Sequence, residues 1–234
     1  MRTFFTVDVE QDCPPFRSSF RGIEQGLPKL CEIHKQKKIR ATFFVTGDVA
    51  RRYPALIREL VAAGHEIGCH GDTHARFDKI AEAEARLEIT RATEILRQFY
   101  PVVSFRAPNL QMPEKYLPIL AEHGYKIDSS GACHKRPGLK PRCEHGLLRV
   151  PVSTTSLILR LKPRFRNFFL RLLKDPVVLF VHPWEFVDLQ NEKLRLDCRW
   201  RTGDFSLTAI SETLSFFQDQ GATFMPLFSV LETA

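Results

Sequence analysis

The sequence lacks any long hydrophobic run, although 44% of its 234 residues are hydrophobic. No window approaches the roughly 18 uninterrupted apolar residues that would indicate a membrane-spanning helix, so none is predicted. The chain also lacks internal repeats, low-complexity tracts and a stretch typical of an interdomain linker. These absences predict a single domain over residues 1–234, long enough to bury a sizeable core.

Cysteine is sparse and shows no pairing pattern. The six cysteines stand at positions 13, 31, 69, 133, 143 and 198, and no two have C-x-x-C spacing. A chain of this length does not need disulfide bonds for stability, so free thiols in a reducing compartment are predicted. The N-terminus also lacks the pattern of a secretory leader, because its first apolar run soon reaches Asp8. A cytoplasmic protein is therefore expected.

Positive charge is concentrated in one segment. Residues 135–174 contain eleven of the 34 Lys and Arg residues and one of the 27 acidic residues, Glu144, which gives this segment +10 and the remainder −3. Local basicity of this kind predicts an anionic partner near that surface. No nucleic-acid recognition motif accompanies it, which argues against DNA or RNA.

Short β-rich runs alternate with helical patterns along the chain. The predicted strands are 4–9, 41–46, 65–69, 102–105, 125–128, 147–152, 176–182 and 222–225, and the predicted helices are 22–38, 54–63, 80–99, 113–123 and 207–217. This alternation with short connections predicts a parallel sheet. We expect an α/β fold, a distorted parallel β/α barrel of about seven strands, with an open doubly wound sheet as the alternative.

Polar side chains gather where the predicted strands end, which is where parallel β/α folds form active sites. They are Asp8, Glu10 and Asp12 after the first strand, His70 and His74 after the third, Arg106 after the fourth, Asp128 after the fifth, and His182, Trp184 and Glu185 after the long apolar strand. Each taken alone has an ordinary structural explanation, such as a turn residue, a surface histidine or a histidine within the core.

Taken together, these residue types match the needs of metal-assisted amide hydrolysis. The H-x-x-x-H spacing of His70 and His74 can direct two imidazoles at one metal ion, with a carboxylate as third ligand. A second carboxylate must accept a proton from water, and an acid must protonate the departing nitrogen. An arginine can hold the base carboxylate in its charged form.

Six stretches in this order resemble the polysaccharide deacetylase, or NodB-homology, family. They are TVDVEQD at 6–12, ATFFVTG at 41–47, HEIGCHGDTH at 65–74, FRAP at 105–108, DSS at 128–130 and LFVHPWEF at 179–186. As a set they are highly specific and span nearly the whole chain. The resemblance implies a distorted barrel of about seven β/α units and one divalent transition-metal ion, with zinc expected.

The resemblance also implies a role for each matching residue. Asp8 corresponds to the general base, Arg106 to the arginine that orients it, and His182 to the general acid. His70 and His74 correspond to the metal-binding histidines. The residues Pro108, Asp128 and Trp184, which lie in the matching stretches, are expected to bind substrate.

The sequence departs from the family pattern at the metal carboxylate. Many members have two adjacent aspartates after the first strand, whereas Asp8 here is followed by Val9 and Glu10. Glu10 fits a branch of the family with an acidic residue two positions on, and Asp12 is the alternative ligand.

The expected enzyme is a hydrolase of carbon–nitrogen bonds other than peptide bonds. It would remove an N-acetyl group, or less commonly an N-formyl group, from an amino sugar in a lipid-linked or nucleotide-linked glycan precursor. Two alternatives stay open: hydrolysis of a non-sugar amide on the same barrel, and a non-catalytic carbohydrate-binding member of the family.

Residues 164–174 form an amphipathic pattern with two interpretations. Phe165, Phe168, Phe169, Leu172 and Leu173 share one face at helical spacing, among four basic residues. The helix could pack this face against the barrel. It could instead lie on an anionic membrane, as a peripheral contact at the inner membrane surface or with a lipid-linked sugar phosphate.

Overall fold

The computed structural model describes residues 1–232 as one continuous sheet with helices around it. The strands are β1 (Arg2–Val9), β2 (Thr42–Val45), β3 (Glu66–Cys69), β4 (Ser104–Phe105), β5 (Ile127–Asp128), β6 (Arg142–Glu144), β7 (Leu147–Arg149), β8 (Val177–Val181) and β9 (Thr223–Phe224). The α-helices are α1 (Leu27–Lys37), α2 (Gly47–Arg52), α3 (Pro54–Ala62), α4 (Glu82–Leu96), α5 (Leu117–Glu122), α6 (Ser156–Leu159), α7 (Pro163–Arg171), α8 (Leu196–Arg199) and α9 (Asp204–Gln218). One π-helical turn spans Gly22–Gly26, and 3₁₀ turns span Pro108–Leu110, Glu114–Tyr116, Pro183–Phe186 and Leu227–Glu232.

The sheet is almost entirely parallel and curls towards closure. Its strand order is β6-β7-β5-β4-β3-β2-β1-β8, with β9 beside β1, and only β6 and β7 pair antiparallel. Beyond the end of β7, the amide of Ser153 donates to the carbonyl of Val178 in β8 (2.8 Å). The segment after β7 therefore contacts β8 through hydrogen bonds of Ser153, outside the named strands. The predicted parallel β/α barrel is confirmed. Its sheet is curled, but its strands do not form a completely closed ring of strand pairs.

Alternation along the strands separates an outer core from an inner one. Phe5, Val7 and Val9 of β1 belong to the large apolar cluster shared with the helices. Phe4 belongs to a second cluster that includes residues of β2, β5, β8 and the final 3₁₀ turn, and this cluster fills the barrel interior. Since successive strand side chains point to opposite faces, Thr6 and Asp8 share the inner face with Phe4.

Several elements differ from the predictions in length or were not predicted. The predicted helix 22–38 begins with a π-helical turn, and the predicted helix 113–123 divides into a 3₁₀ turn and α5 at Leu117. The β6 strand was not predicted, and with β7 it forms a hairpin at an edge of the sheet. The short helices α2, α6 and α8 were also missed, since four to six residues carry too little periodicity to predict a helix.

Of the two interpretations of residues 164–174, the structure contradicts packing of the apolar face against the barrel. In α7 and just after it, Phe165, Phe168, Phe169 and Leu172 are exposed, while Arg166 and Leu170 are buried. The helix therefore contacts the barrel through a neighbouring face.

Within residues 1–232, no helix is both long enough and apolar enough to cross a membrane. The six cysteines are free thiols.

Candidate active site

The inner faces of the strands bring the predicted catalytic side chains together at one end of the barrel. Asp8 is the penultimate residue of β1, on the same face as Thr6, and Arg106 lies just beyond β4. His70 follows β3 directly, and His182 follows β8 directly. Because all these strands are parallel, their carboxyl ends meet at one rim.

Glu10 forms a compact cluster with two histidines. Its Oε2 lies 2.6 Å from Nε2 of His74 and 3.2 Å from Nε2 of His70. Burial opposes the charge of Glu10, but His74, His70 and His182 outweigh that effect and hold the pKa of Glu10 well below its usual value. Burial likewise opposes protonation of His74, but Glu10 raises its pKa.

The tautomer of His70 is fixed by a backbone carbonyl. Its Nδ1 lies 2.7 Å from the carbonyl oxygen of Arg106, which can only accept a hydrogen bond. Nδ1 therefore carries a proton and donates it, and Nε2 is the nitrogen that faces Glu10. This arrangement leaves the Nε2 lone pair available as a ligand.

The two histidines are brought together by a turn whose shape Glu88 holds. Gly71 (φ 76°) and His74 (φ 67°) both adopt the left-handed conformation, which glycine tolerates far better than other residues. Glu88 of α4 accepts hydrogen bonds from the amides of Asp72 and Thr73 and from the Thr73 hydroxyl, at 2.7–2.9 Å. The sequence analysis did not predict this role of Glu88. The available signal was an acidic residue adjacent to the apolar positions of a predicted helix.

Asp8 is paired with Arg106, as the sequence predicted. Nη1 of Arg106 donates to Oδ1 of Asp8 and to the Thr6 hydroxyl, both at 2.7 Å, and Nη2 donates to the Ser129 hydroxyl at 2.9 Å. Arg106 is completely buried, and its guanidinium stacks 4.2 Å from the centre of the Phe44 ring. The carboxylate of Asp8 is therefore held in one orientation at the wall of the cleft.

His182 is oriented by a buried ion pair between Glu185 and Arg160. Its Nδ1 lies 2.8 Å from Glu185, whose other oxygen lies 3.3 Å from Nε of Arg160. Burial disfavours the charged imidazole, but Glu185 and Glu10 together raise the pKa of His182 to about 9. The supporting roles of Glu185 and Arg160 were not predicted, because the two residues are distant in sequence.

Asp8, Glu10, His70, His74 and His182 line one cleft of about 270 Å³. Trp184 stacks on His182 with ring centres 4.7 Å apart, and its Nε1 donates to Glu10 at 3.4 Å. The remaining lining residues are Cys13, Pro14, Phe16, Asn109, Leu110, His134, Lys135, Thr155, Ser156, Leu157, Arg160, Phe180, Arg195, Asp197 and Cys198. The cleft therefore combines the charged cluster with an aromatic and partly basic wall.

Two of the three predicted substrate-binding positions, Asp128 and Pro108, lie outside this cleft. Asp128 is completely buried and accepts hydrogen bonds from Arg149 (2.9 Å) and Ser130. Since Ile127 belongs to the inner cluster, the next side chain along β5 points to the other face. Pro108 is buried at the start of a 3₁₀ turn, and the residues after it line the cleft instead. The expectation that Asp128 and Pro108 contact substrate is not supported by their positions.

Asp12 is also separate from the histidine cluster. Its carboxylate accepts hydrogen bonds from the Ser19 hydroxyl (2.7 Å) and from the amides of Arg21 (2.9 Å) and Gly22 (2.8 Å). It closes the loop after β1, which leaves Glu10 as the carboxylate near the two histidines.

Glu10, His70 and His74 fit the requirements of a divalent transition-metal site. Their ligand atoms all lie within 4.8 Å of one another, and within residues 1–232 they form the only such cluster. Two imidazole nitrogens and a carboxylate oxygen suit zinc and similar ions, and three protein ligands leave coordination positions for other molecules. The fixed tautomer of His70 is the arrangement that a metal ligand requires.

The Glu10 cluster, the buried Asp8–Arg106 pair and the oriented His182 thus share one rim of a curled parallel β/α sheet. The sequence model of the polysaccharide deacetylase family matches residues 11–127, half of the chain. The chain belongs to the polysaccharide deacetylase family, and the predicted resemblance is confirmed.

Similarity to curated proteins is limited to part of their length. A peptidoglycan-N-acetylglucosamine deacetylase of Bacillus cereus is 31% identical over 102 residues, which cover 43% of this chain and 37% of the relative. The match thus spans little more than a third of that protein.

Similarity to solved structures extends over almost the whole chain. A peptidoglycan N-acetylglucosamine deacetylase structure covers 97% of this chain and 86% of its own, with 20% identity and a TM-score of 0.67. A CE4 family pseudoenzyme from Bacillus anthracis covers 98% of this chain and 65% of its own, with 15% identity and the same TM-score. At such identities the comparisons show the fold alone.

Proposed function

We propose that this protein is a metal-dependent N-deacetylase of amino sugars. The observation that carries the proposal is the presence of a Glu–His–His cluster, an Arg-held carboxylate and an oriented histidine in one cleft. The name of the Bacillus cereus relative supports N-acetylglucosamine as the sugar.

The proposed reaction adds water to the amide carbonyl and releases an amine and a carboxylate. A divalent ion held by Glu10, His70 and His74 would supply a Lewis acid that polarises the carbonyl and favours deprotonation of water. Asp8 accepts the proton from the attacking water, and Arg106 keeps its carboxylate turned towards the cleft. His182 donates a proton to the departing nitrogen, because an amide anion is too poor a leaving group.

The proposed physiological substrate is a glycan precursor that carries phosphate, either lipid-linked or nucleotide-linked. Lys135 of the cleft supports an anionic group near the sugar, whereas Arg195, which also lines the cleft, is paired with Asp197. N-acetyl is the preferred acyl group in this proposal and N-formyl is the second candidate. A cytoplasmic location is also a proposal, which the six free thiols support and cell fractionation would test.

A substrate panel tests the proposed activity. Purified protein loaded with zinc, cobalt or manganese is incubated with a soluble N-acetylglucosamine oligosaccharide, a uridine-diphosphate N-acetyl sugar and the non-sugar amide 4-nitroacetanilide, and released acetate is measured. We expect acetate from the sugars and none after chelation. Hydrolysis of the non-sugar amide alone would favour the alternative amidase.

The pseudoenzyme of the same fold makes a control for a non-catalytic role necessary. Asp8→Asn should lower turnover by roughly 10²–10⁴-fold while leaving oligosaccharide binding intact, as measured by calorimetry. Oligosaccharide binding by the wild-type protein without acetate release, under every metal condition, would instead support the carbohydrate-binding alternative.

A further inference from the structure

An unusual apolar stripe faces solvent on α7 and the residue that follows it. Phe165 is 53% exposed, Phe168 58%, Phe169 41% and Leu172 60%. At about 100° per residue, these four side chains fall within a sector of roughly 100° on the helix surface. Contiguous exposed apolar surface of this kind marks an interaction site more often than chance.

The rest of α7 explains how the helix is held without burying this stripe. Arg166 and Leu170, one turn apart, are buried, and Nη2 of Arg166 donates to Glu212 of α9 at 2.5 Å. Leu173 packs against the large core cluster. The helix is thus fixed to the barrel by a face that contains an arginine, while its phenylalanines face outwards. That arrangement reverses the usual one for a barrel helix.

Cations flank the stripe, and no acidic residue interrupts them. Residues 162–174 contain no Asp or Glu. Lys162, Arg164, Arg171 and Lys174 are exposed, and none of them makes an ion pair within the described part of the chain. By contrast, the basic side chains of Arg142, Arg149, Arg160 and Arg166 are paired with carboxylates. The uncompensated charge of the basic segment is therefore partly concentrated around α7.

The stripe follows directly in sequence from the wall of the catalytic cleft. Thr155, Ser156 and Leu157 line the cleft, and Leu157 also lines a neighbouring groove of about 540 Å³. That groove is mainly apolar and includes Ile158, Leu161, Leu196 and Trp200, and α7 begins two residues after Leu161. An apolar ligand bound in this groove would therefore lie next to the cleft.

The charge pattern distinguishes between two apolar occupants. A second copy docked symmetrically would place the four cations of one stripe against the same four of the other. An anionic bilayer offers hydrocarbon for the phenylalanines and phosphates for the cations at the same surface. The complementarity of charge favours the bilayer.

We infer that α7, together with the adjoining groove, is a membrane-docking surface that binds bilayers containing anionic phospholipid. The inference of membrane binding is based on the exposed stripe and its cations. A role of this surface in presenting a lipid-linked glycan to the cleft rests, in addition, on the proposed function.

Vesicle co-sedimentation tests the inference. The full chain is mixed with phosphatidylcholine vesicles that contain or lack phosphatidylglycerol. We expect binding only to the anionic vesicles, with release as salt rises, because the electrostatic contribution is screened. The variant Phe165→Ser/Phe168→Ser/Phe169→Ser should bind at least tenfold more weakly, and Arg164→Glu/Arg171→Glu likewise.

Leu87→Ser is the matched control, because Leu87 is 51% exposed on α4, outside the docking surface. It should bind vesicles as the wild type does. All variants should keep the wild-type melting temperature and the wild-type rate of acetate release from a soluble oligosaccharide.

Failure of this inference is distinguishable from failure of the proposed function. Absence of binding to anionic vesicles at low salt would overturn the docking surface, and so would undiminished binding by both α7 variants. A wild-type dimer that the phenylalanine substitutions dissociate, without vesicle binding, would assign the stripe to self-association instead. Vesicle binding without hydrolysis of any amide would leave the docking surface in place and remove the proposed activity.

Discussion

Three carboxylates at alternate positions, one near the end of β1 and two just after it, contact different partners. Asp8 meets the guanidinium of Arg106, Glu10 meets His70 and His74, and Asp12 accepts backbone hydrogen bonds within its own loop. All three are almost fully buried, so their partners rather than their exposure separate their roles. At the residue scale, these contacts define the tests of the proposed chemistry.

The metal site is expected to depend on Glu10 and not on Asp12. Glu10→Gln, His70→Ala and His74→Ala should each weaken binding of one divalent ion by at least roughly 10²-fold, because each removes one of three ligands. Metal content after dialysis and calorimetry measure the effect. Asp12→Asn is the control and should keep the ion. Stoichiometric metal in both histidine variants would contradict the assignment.

Asp8 and His182 are expected to act in proton transfer. Asp8→Asn and His182→Ala should each lower kcat by roughly 10²–10⁴-fold, the usual contribution of general acid–base catalysis. The metal content should remain that of the wild type, since neither residue belongs to the Glu10 cluster. Steady-state acetate release measures kcat. Near-normal turnover by either variant would show that its role belongs to another residue.

Arg106 is expected to be a positioning residue that lysine cannot replace. Lysine keeps the charge but loses the planar fork that reaches Asp8, Thr6 and Ser129 together. Arg106→Lys should therefore lower kcat at least tenfold while KM and metal content stay near wild type. A melting curve separates this effect from unfolding. Wild-type kcat in a folded Arg106→Lys protein would contradict the positioning role.

At the scale of single elements, the direction in which a strand or helix turns its side chains affects the site more than the exact boundaries of the element. Strand β5 has only two residues, and their alternation turns Asp128 away from the cleft. Helix α7 was predicted from its periodicity, but its phenylalanines face solvent. Helix α1 shows a related feature, because it buries a histidine where an apolar residue would be ordinary.

His34 of α1 is 1% exposed, and neither ring nitrogen has a hydrogen-bond partner within residues 1–232. Its ring lies 5.1 Å from that of Phe5 and 5.6 Å from that of His65. Burial, assisted by His65, lowers the pKa of His34 from 6.5 to about 3. Burial and Arg40 similarly lower the pKa of His65 to about 4. The other charged groups bordering this region are Glu32, Lys35, Lys38 and Glu59.

This buried histidine predicts acid sensitivity of the fold. The folded protein binds the proton less well than the unfolded chain, so the neutral form's contribution is complete above about pH 6.5 and is lost as the pH falls towards 3. Between about pH 6.5 and about pH 4.5, the loss should be on the order of 2 kcal/mol in the free energy of unfolding.

Urea unfolding at several pH values measures this dependence. His34→Leu should flatten it, while His145→Asn, at an exposed position, should leave it unchanged. An identical acid slope in His34→Leu would contradict the prediction.

At the scale of the whole molecule, the sheet curls until two distant segments meet. The Ser153 amide donates to Val178, and the Val178 amide donates back to the Ser153 hydroxyl at 2.9 Å. This pair of hydrogen bonds, rather than a strand ladder, joins the segment after β7 to β8. The cleft lies between walls that this contact holds together.

Removal of the Ser153 hydroxyl should therefore weaken the whole barrel. Ser153→Ala leaves the amide of the buried Val178 without its acceptor, which should lower the free energy of unfolding by about 1–3 kcal/mol. Denaturant unfolding measures the change, with Ser18→Ala at an exposed position as the control. Equal stability of the two variants would show that the contact does not stabilise the closed sheet.

Much of the site could be predicted because its residues follow strands whose patterns are local. Asp8, His70, Arg106 and His182 each end or follow a β-rich run, and parallel pairing brings such ends together. The supporting residues Glu88, Glu185 and Arg160 were missed or left without a role. The contacts of Glu88 with the 72–73 turn and of Glu185 with Arg160 join different elements of the fold, and sequence periodicity does not show which buried side chains will meet.

The sequence by itself determined the alternation of strands and helices, the rim on which the polar residues gather, and the family. These properties follow from local periodicity and from motif spacing, which can be recognised without knowing any tertiary contact. Only the tertiary structure decided that Glu10 rather than Asp12 joins the histidines, that Asp128 faces away, and that the α7 phenylalanines face solvent. Each of these outcomes depends on which face of a strand, helix or loop packs against its neighbours. Tertiary packing across the barrel determines that face.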